Sequence, residues 1–164
     1  ISLVGVNSIA QSVDKSINLN GIILGVSQSD FEDDLFLITG DEPAYKEAPS
    51  LQYTLKRKIR LGIRDASYLG SDFKIFGNYT ASHITMQFYE GKLFKVQWTF
   101  RNRETLTDKF GTSKEEVFDD FRQVEWQGGK KYFQVFMDTE SDVTLVYEDV
   151  KIAKKVQKVL AKSK

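Results

Sequence analysis

Two runs of alternating apolar and polar residues within the stretch 71–100 constrain the fold of this chain more than any other feature. They meet at Glu90-Gly91-Lys92, where a glycine stands between two charged residues. An alternation with a period of two predicts strands with one buried and one exposed face, and the short glycine-containing connection predicts a hairpin. We therefore predict a twisted antiparallel sheet. Its strands are predicted near residues 73–77, 80–89 and 93–100.

The buried face of this sheet can be predicted from the apolar positions of the alternation. Helices packed on this face are predicted to bury the candidates, which are Phe73, Ile75, Ile84, Met86, Phe88, Phe94, Val96 and Trp98. A shift of one residue in strand pairing would move every one of these side chains to the other face, so the assignment can be tested by mutation.

The rest of the chain is predicted to alternate between short strands and helices. Further strands are predicted at 17–24, 51–63, 124–126, 132–137 and 143–147, with a loop at 41–50 and turns at 65–70 and at Gly128-Gly129. Helices are predicted from Ser27 to Gly40, at 101–122 and at 149–162. Ser27 and Asp30 resemble a capping box, as do Ser113 and Glu116. This order favours an α+β fold: an antiparallel meander sheet with helices packed mainly on one face.

The length of 164 residues suits a single α+β domain, which we assign to residues 14–164. Residues 1–13 have two interpretations. Ser8 and Ala10 have the small-residue spacing that signal peptidase accepts, so the segment is either the remnant of a signal peptide or an N-terminal strand.

Composition excludes several classes of function. The chain has no cysteine and one histidine, so it cannot form a disulfide, a thiolate or multi-histidine metal site, or a cysteine nucleophile. The 23 basic and 23 acidic residues cancel, which leaves no overall positive charge to attract nucleic acid. We predict no cofactor, no metal ion and no catalytic residue.

The two features that come nearest to a chemical site have simpler explanations. The carboxylates between Asp138 and Asp142 are spaced as in a calcium loop, but Val143 and Asp149 stand where such a loop needs glycine and glutamate. We interpret the segment as a turn. His83 and Ser82 are neighbours on a strand and point to opposite faces, so they cannot form a simple nucleophile–base pair. We interpret His83 as a surface or half-buried histidine, and a hydrolase using it is an alternative of low rank.

The basic segments of the chain are predicted to have structural roles. Residues 56–60 are interpreted as a solvated strand edge. In the helix at 151–164 the apolar residues Ile152, Val156, Val159 and Leu160 form a stripe among lysines. This pattern suits a packed terminal helix, or alternatively contact with an anionic membrane surface or acidic partner. We favour the packed helix, and no segment is apolar over the length that a membrane span requires.

Three short motifs carry a family resemblance. They are Gly21–Asp30 (GIILGVSQSD), Phe88–Val96 (FYEGKLFKV) and Leu106–Gly111 (LTDKFG). Together they resemble the helix-plus-meander modules of outer-membrane assembly lipoproteins of the small-protein-A type and of β-lactamase inhibitory protein. The resemblance implies a bacterial envelope protein that is periplasmic or secreted and that acts by binding other proteins. The lipoproteins carry a lipid-modified cysteine, which this chain lacks.

The sequence therefore favours a non-enzymatic, exported protein-binding or envelope-assembly module, with a protein inhibitor or immunity-type protein as the alternative. We expect a protein partner to dock on the open face of the sheet rather than on the final helix. The residues predicted to contact it are Tyr79, Tyr89, Lys95 and Gln97.

Overall fold

A computed structural model of the chain describes residues 23–70, 74–75, 79–101, 114–117, 121–127, 130–138 and 142–163. A 3-10 helix at Gln28–Asp34 comes first, and the α-helices are α1 (Pro43–Lys46), α2 (Pro49–Arg60) and α3 (Val150–Lys162). The strands are β1 (Leu35–Leu37), β2 (Ile63–Tyr68), β3 (Lys74–Ile75), β4 (Tyr79–Thr80), β5 (His83–Tyr89), β6 (Lys92–Arg101), β7 (Lys114–Val117), β8 (Phe121–Gln127), β9 (Lys131–Asp138) and β10 (Asp142–Asp149).

Eight of these strands form one antiparallel sheet in the order β1-β2-β5-β6-β10-β9-β8-β7, and β3 pairs with β4 separately. Most neighbours in the sheet are also neighbours along the chain, as in a meander. The predicted α+β class is confirmed.

The hairpin between β5 and β6 is formed where the alternation predicts it. Glu90 and Gly91 both have positive φ angles, 48° and 77°, which is the backbone that tight hairpin turns require. The pairing contains one bulge: Gln87 lies opposite Lys95 and Phe88 opposite Leu93, which leaves Phe94 without an opposing residue.

One face of the sheet, called here the apolar face, carries the main core. Five of the predicted core residues on this face are buried, namely Ile84, Met86, Phe88, Val96 and Trp98. Strand pairing places Ala66, Leu145 and Tyr147, which are also buried, on the same face. The 3-10 helix contributes Phe31, whose ring meets Tyr68 edge-on and lies 6.3 Å from the ring of Phe88. Among the other candidates, Phe94 is buried elsewhere, Phe73 lies outside the described residues, and so does the side chain of Ile75.

The two long helices pack against the opposite face and not against the predicted apolar row, whereas the 3-10 helix lies on the apolar face. At one end of that face Ile63, Tyr89 and Phe94 form a cluster with Val156 of α3. Alongside it, Lys58 of α2 reaches Asp65 of β2 at 3.4 Å. The helices therefore cover the end of a face that is otherwise polar, and the predicted apolar row lies on the other side of the sheet.

The predicted strand at 51–63 is wrong, because most of it is helix α2. Pro49 occupies the first turn, where its missing N–H is not needed. Leu51, Leu55 and Ile59 recur every four residues, which is the helical period. The predicted turn at 65–70 is also wrong: Gly62, with φ of 81°, ends the helix, and β2 follows up to Tyr68.

The predicted helix at 101–122 is wrong wherever the structure describes it. Arg101 ends β6, residues 114–117 form β7, and Phe121 begins β8. The capping-box spacing of Ser113 and Glu116 is a local signal, and pairing of β7 with β8 outweighs it. Charged residues such as Lys114 and Glu115 suit β7 because it is the last strand in the sheet order.

The helix predicted from Ser27 is shorter than expected. The Ser27 N–H donates to the Asp30 carboxylate at 3.1 Å, as in a capping box, but only a 3-10 helix follows before strand β1. The loop predicted at 41–50 contains helix α1 and the start of α2.

The strands predicted at 124–126, 132–137 and 143–147 and the helix at 149–162 are confirmed, with slightly wider strands. Asp149 caps α3 by accepting a hydrogen bond from the Ile152 N–H at 2.9 Å. The strand predicted at 17–24 falls mostly outside the described residues, as does Gly128-Gly129, although β8 and β9 pair on either side of it.

Candidate functional site

The face opposite the apolar face carries a continuous row of polar residues across four strands. Asp65 of β2 pairs with Gln87 of β5, Gln87 with Lys95 of β6, and Lys95 with Glu148 of β10. Directly opposed residues in antiparallel strands point to the same face, so these four side chains share it. We call this side of the sheet the polar face.

A second row lies beside the first on the polar face. It runs from Phe36 of β1 through Ser67, Thr85 and Gln97 to Val146. Val146 is buried, whereas Phe36 at the other end is 50% exposed. The row therefore ends in an apolar side chain that is open to solvent.

A cavity of about 220 Å³ lies over these two rows. The residues that line it are Ile38, Asp65, Ala66, Thr85, Met86, Gln87, Lys95 and Gln97. Within this set, Thr85 opposes Gln97 and Gln87 opposes Lys95, so the four form the corners of a small quadrilateral. Opposed Cβ atoms lie about 4.5–5.5 Å apart, so one small group can reach several of these side chains together.

The negative charge in the cavity is already compensated. Asp65 accepts a hydrogen bond from Gln87 Nε2 at 2.7 Å and forms an ion pair with Lys58 Nζ at 3.4 Å. Both carboxylate oxygens of this half-buried side chain are thus engaged, and the carboxylate is held on the floor of the cavity.

The positive charge of Lys95 forms no ion pair with the described residues, although the Glu148 carboxyl opposite it feels that charge through space. Within the described part of the chain, half-buried Lys95 makes no ion pair or hydrogen bond, and Thr85 and Gln97 make no side-chain hydrogen bond. Glu148 lies opposite Lys95 without reaching it. Burial raises the pKa of Glu148, the nearby Lys95 charge lowers it in part, and Asp149 raises it further.

The predicted partner-contacting residues do not lie together. Lys95 and Gln97 line the cavity. The structure corrects the placement of Tyr89, which is on the same face but only 8% exposed, in the cluster with Val156 and beneath the ammonium of Lys155 at 5.3 Å. Tyr79 belongs to β4, outside the eight-stranded sheet, and its side chain is outside the described residues.

Three polar cavity residues, Asp65, Thr85 and Gln87, were not among the predicted partner-contacting residues. Asp65 was placed in a turn, because β2 was not recognised as a strand. Thr85 and Gln87 occupy the polar positions of the β5 alternation, so their shared face with Lys95 and Gln97 could have been found from the hairpin register.

Where the structure describes them, the candidate chemical features are not brought together into a catalytic or metal site. His83 is exposed and lies opposite Thr99, and Ser82 Oγ donates to the Thr99 carbonyl at 2.9 Å. Over the described ranges His83 contacts no carboxylate, and no cluster of three or more metal-binding side chains occurs. Residues 139–141, between the carboxylates at Asp138 and Asp142, lie outside them.

The final helix is packed, as favoured from the sequence. Ile152, Val159 and Leu160 pack with Val156 against the cluster on the sheet, and lysines such as Lys154 and Lys158 are exposed. Where the structure describes the chain, none of its helices has the length and apolar content to cross a membrane.

The basic run at 56–60 is not a strand edge but part of α2, and it holds neighbouring elements. Lys56 pairs with Asp41 at 3.0 Å. Arg57 donates to the Leu160 carbonyl and to Ser163 Oγ, which ties α2 to the end of α3.

No protein-family model matches this chain, and comparison with curated proteins and with solved structures gives no match.

Proposed function

We propose that this chain is a non-enzymatic protein-binding module of the bacterial envelope, acting in the periplasm or outside the cell, and that its partner docks on the polar face. One observation carries the proposal: a cavity on this face contains three half-buried polar side chains, Thr85, Lys95 and Gln97, that make no side-chain hydrogen bond or ion pair with the described residues. Half-buried polar groups lose hydration, so a partner that supplies their hydrogen bonds gains affinity.

The surroundings of the cavity suit a docked protein. Phe36, in the same cross-strand row as Thr85 and Gln97, is half exposed. Apolar side chains next to a polar pocket provide contact area, while the pocket provides selectivity. The polar side chains stand on paired strands, so little backbone order has to be gained on binding.

Binding is favoured over hydrolysis because the described residues bring no base to a nucleophile. His83 is exposed, and the neighbouring Ser82 hydroxyl is engaged with the Thr99 carbonyl. An inhibitor or immunity-type protein would use the same face, and would differ only in having an enzyme or a toxin as its partner.

Site-specific photocrosslinking tests where the partner docks. A photoreactive amino acid is introduced at Phe36 on the polar face, and in a matched variant at Lys158, an exposed position on α3. We expect a discrete protein adduct from position 36 in intact cells and none from position 158. Adducts only from position 158 would move the docking surface to α3 and contradict the proposal.

The export half of the proposal is tested separately. Cells that produce the chain from its complete gene are fractionated, and the protein is expected in the periplasm or the medium. Recovery in the cytoplasm would contradict an envelope function, whatever the crosslinking shows.

A further inference from the structure

The cavity on the polar face is small. Pockets that bind drug-sized molecules measure roughly 300–1,000 Å³, whereas this one has about 220 Å³. It can accept one side chain or a molecule of a few carbon atoms. It is too small to enclose a nucleotide or a sugar chain.

The charge of the cavity selects the sign of its occupant. The Asp65 carboxylate is engaged by Lys58 and Gln87, so it does not attract a cation strongly. Lys95 has no such contact among the described residues: Glu148 lies opposite it on the polar face and interacts with its charge through space, without forming an ion pair. An anionic group is therefore the complementary occupant, since it would provide the ion pair that Lys95 lacks.

The neighbours of Lys95 indicate the shape of that anion. The Gln97 amide and the Thr85 hydroxyl are hydrogen-bond donors on the same face, and they are directly opposed across β5 and β6. A planar carboxylate offers two oxygen atoms, one for the ammonium and one for these neutral donors. A hydrogen bond with a charged donor or acceptor is stronger than one between two neutral groups. These three side chains should therefore bind a carboxylate more tightly than an amide.

We infer that the cavity is a carboxylate-binding pocket in which Lys95, Thr85 and Gln97 hold a single carboxylate of the docked partner. The inference rests on the proposed function, because it names the group that the partner inserts. The carboxylate belongs to an Asp or Glu side chain or to a chain terminus, and the two sources share the same chemistry.

Nuclear magnetic resonance titration of the purified chain with small probes tests this pocket without the partner. The probes are N-acetylglutamate α-amide, which has only a side-chain carboxylate, and its neutral counterpart N-acetylglutamine α-amide. A second pair, N-acetylalanine and N-acetylalaninamide, tests a terminal carboxylate in the same way. Backbone amide shifts of Thr85, Lys95 and Gln97 report occupancy.

We expect saturable shifts at these positions with at least one carboxylate probe, and at least about tenfold weaker binding of its amide counterpart. The pair with the larger ratio of acid affinity to amide affinity identifies the source of the carboxylate: a side chain for the glutamate pair, a chain terminus for the alanine pair. Equal responses to the acid and its amide, or no saturable shift with any probe, would overturn the inference.

Variants separate the pocket from general surface charge. Lys95→Gln should lower the affinity for the carboxylate probe at least about tenfold, whereas Lys92→Gln should leave this affinity unchanged. Lys92 is an exposed lysine on the same strand that does not line the cavity, so it is the matched control. Equal loss in both variants would show nonspecific charge attraction. Thr85→Val, which keeps the lysine, should weaken binding less than Lys95→Gln, and it provides a second test if the first variant is poorly folded.

Failure of this inference can be told apart from failure of the proposed function. Crosslinks at position 36 without carboxylate binding would retain the docking surface and reject the pocket. Carboxylate binding with crosslinks only at position 158 would retain the pocket and reject the docking surface.

Discussion

The two faces of the sheet are built from the same strands but contribute different properties. On β5 and β6, one set of alternate residues, which includes Phe88 and Val96, is buried on the apolar face. The intervening set, which includes Gln87 and Lys95, lines the cavity on the polar face. The comparison teaches that stability and recognition can be altered separately in this chain, because neighbouring residues on a strand point to opposite sides.

The largest effect is expected on the apolar face. Trp98→Ala should lower the free energy of unfolding by about 3–5 kcal/mol, because the side chain is fully buried and its removal leaves a cavity. Denaturant titration measures the loss. Trp98→Phe is the control: the Trp98 indole N–H has no acceptor among the described residues, so this change sacrifices no hydrogen bond there. A cost below about 1 kcal/mol for Trp98→Ala would mean that the assignment of the two faces is inverted.

The next effect concerns the helix that covers one end of the polar face. Val156→Ala should cost about 2 kcal/mol, because two buried carbon atoms are removed from the cluster with Ile63, Tyr89 and Phe94. Lys158→Ala, on the exposed side of α3, should change stability by less than about 0.5 kcal/mol. Similar small changes for both variants, measured by thermal unfolding, would show that α3 is not firmly packed.

The hairpin that sets the register of the two faces should be sensitive to its turn. Gly91→Ala should cost about 1 kcal/mol, because φ at this position is positive and an alanine there is strained. Among the described residues, apart from the chain neighbours of Gly91, no atom lies within 4 Å of the position a Cβ would take, so the cost comes from the backbone conformation. Glu90→Asn should instead stabilise the chain, since asparagine tolerates positive φ better. Denaturant titration of both variants measures these changes in the free energy of unfolding. An unchanged stability in Gly91→Ala would contradict the claim that the positive φ at this position disfavours alanine.

The smallest effect is expected at Glu148 and depends on pH. Burial raises the pKa of this carboxyl above the ordinary value of 4.5, so the folded state binds its proton more tightly than the unfolded chain does. The destabilisation from its charge is fully present above the raised pKa, is relieved as the pH falls through that pKa, and is absent well below 4.5, where the carboxyl is protonated in both states.

Glu148→Gln removes this titration, while the charges of Lys95 and Asp149 remain. The variant should therefore gain stability relative to the original chain as the pH rises from well below 4.5 to neutrality. Melting temperatures of the two chains across this range provide the measurement. If the difference in melting temperature between the variant and the original chain stays constant, or becomes smaller toward neutral pH, burial is not the dominant influence on the pKa of Glu148.

The pattern of apolar residues predicted those helices and strands correctly whose whole length follows a single period, either that of a helix or that of a strand. The hairpin follows from a long alternation closed by Gly91, and α3 follows from a stripe of apolar residues at helical spacing. The segment from Pro49 to Tyr68 was misread because a helix changes to a strand within it at Gly62, so that both periods occur side by side. Between Arg101 and Arg122, a cap-like spacing indicated a helix where β7 and β8 pair instead.

The candidate site was predicted only in part. Lys95 and Gln97 were identified from their shared face on one strand, which is a local property. Asp65 joins them through the pairing of β2 with β5, and Tyr89 is removed from the surface by a helix about sixty residues further along the chain. Neither contact can be predicted from the spacing of residues that are close together in the sequence.

By itself, the sequence determined the antiparallel hairpin, the apolar row that it buries, the final helix and the α+β class. These features depend on side-chain periodicity and turn chemistry, which act over a few residues. Only the tertiary structure decided that the helices cover the end of the polar face, that Lys58 neutralises Asp65 and that Lys95 is left facing a cavity. Such arrangements depend on which distant segments come together, and a pattern read along one segment contains no information about its partner across the sheet.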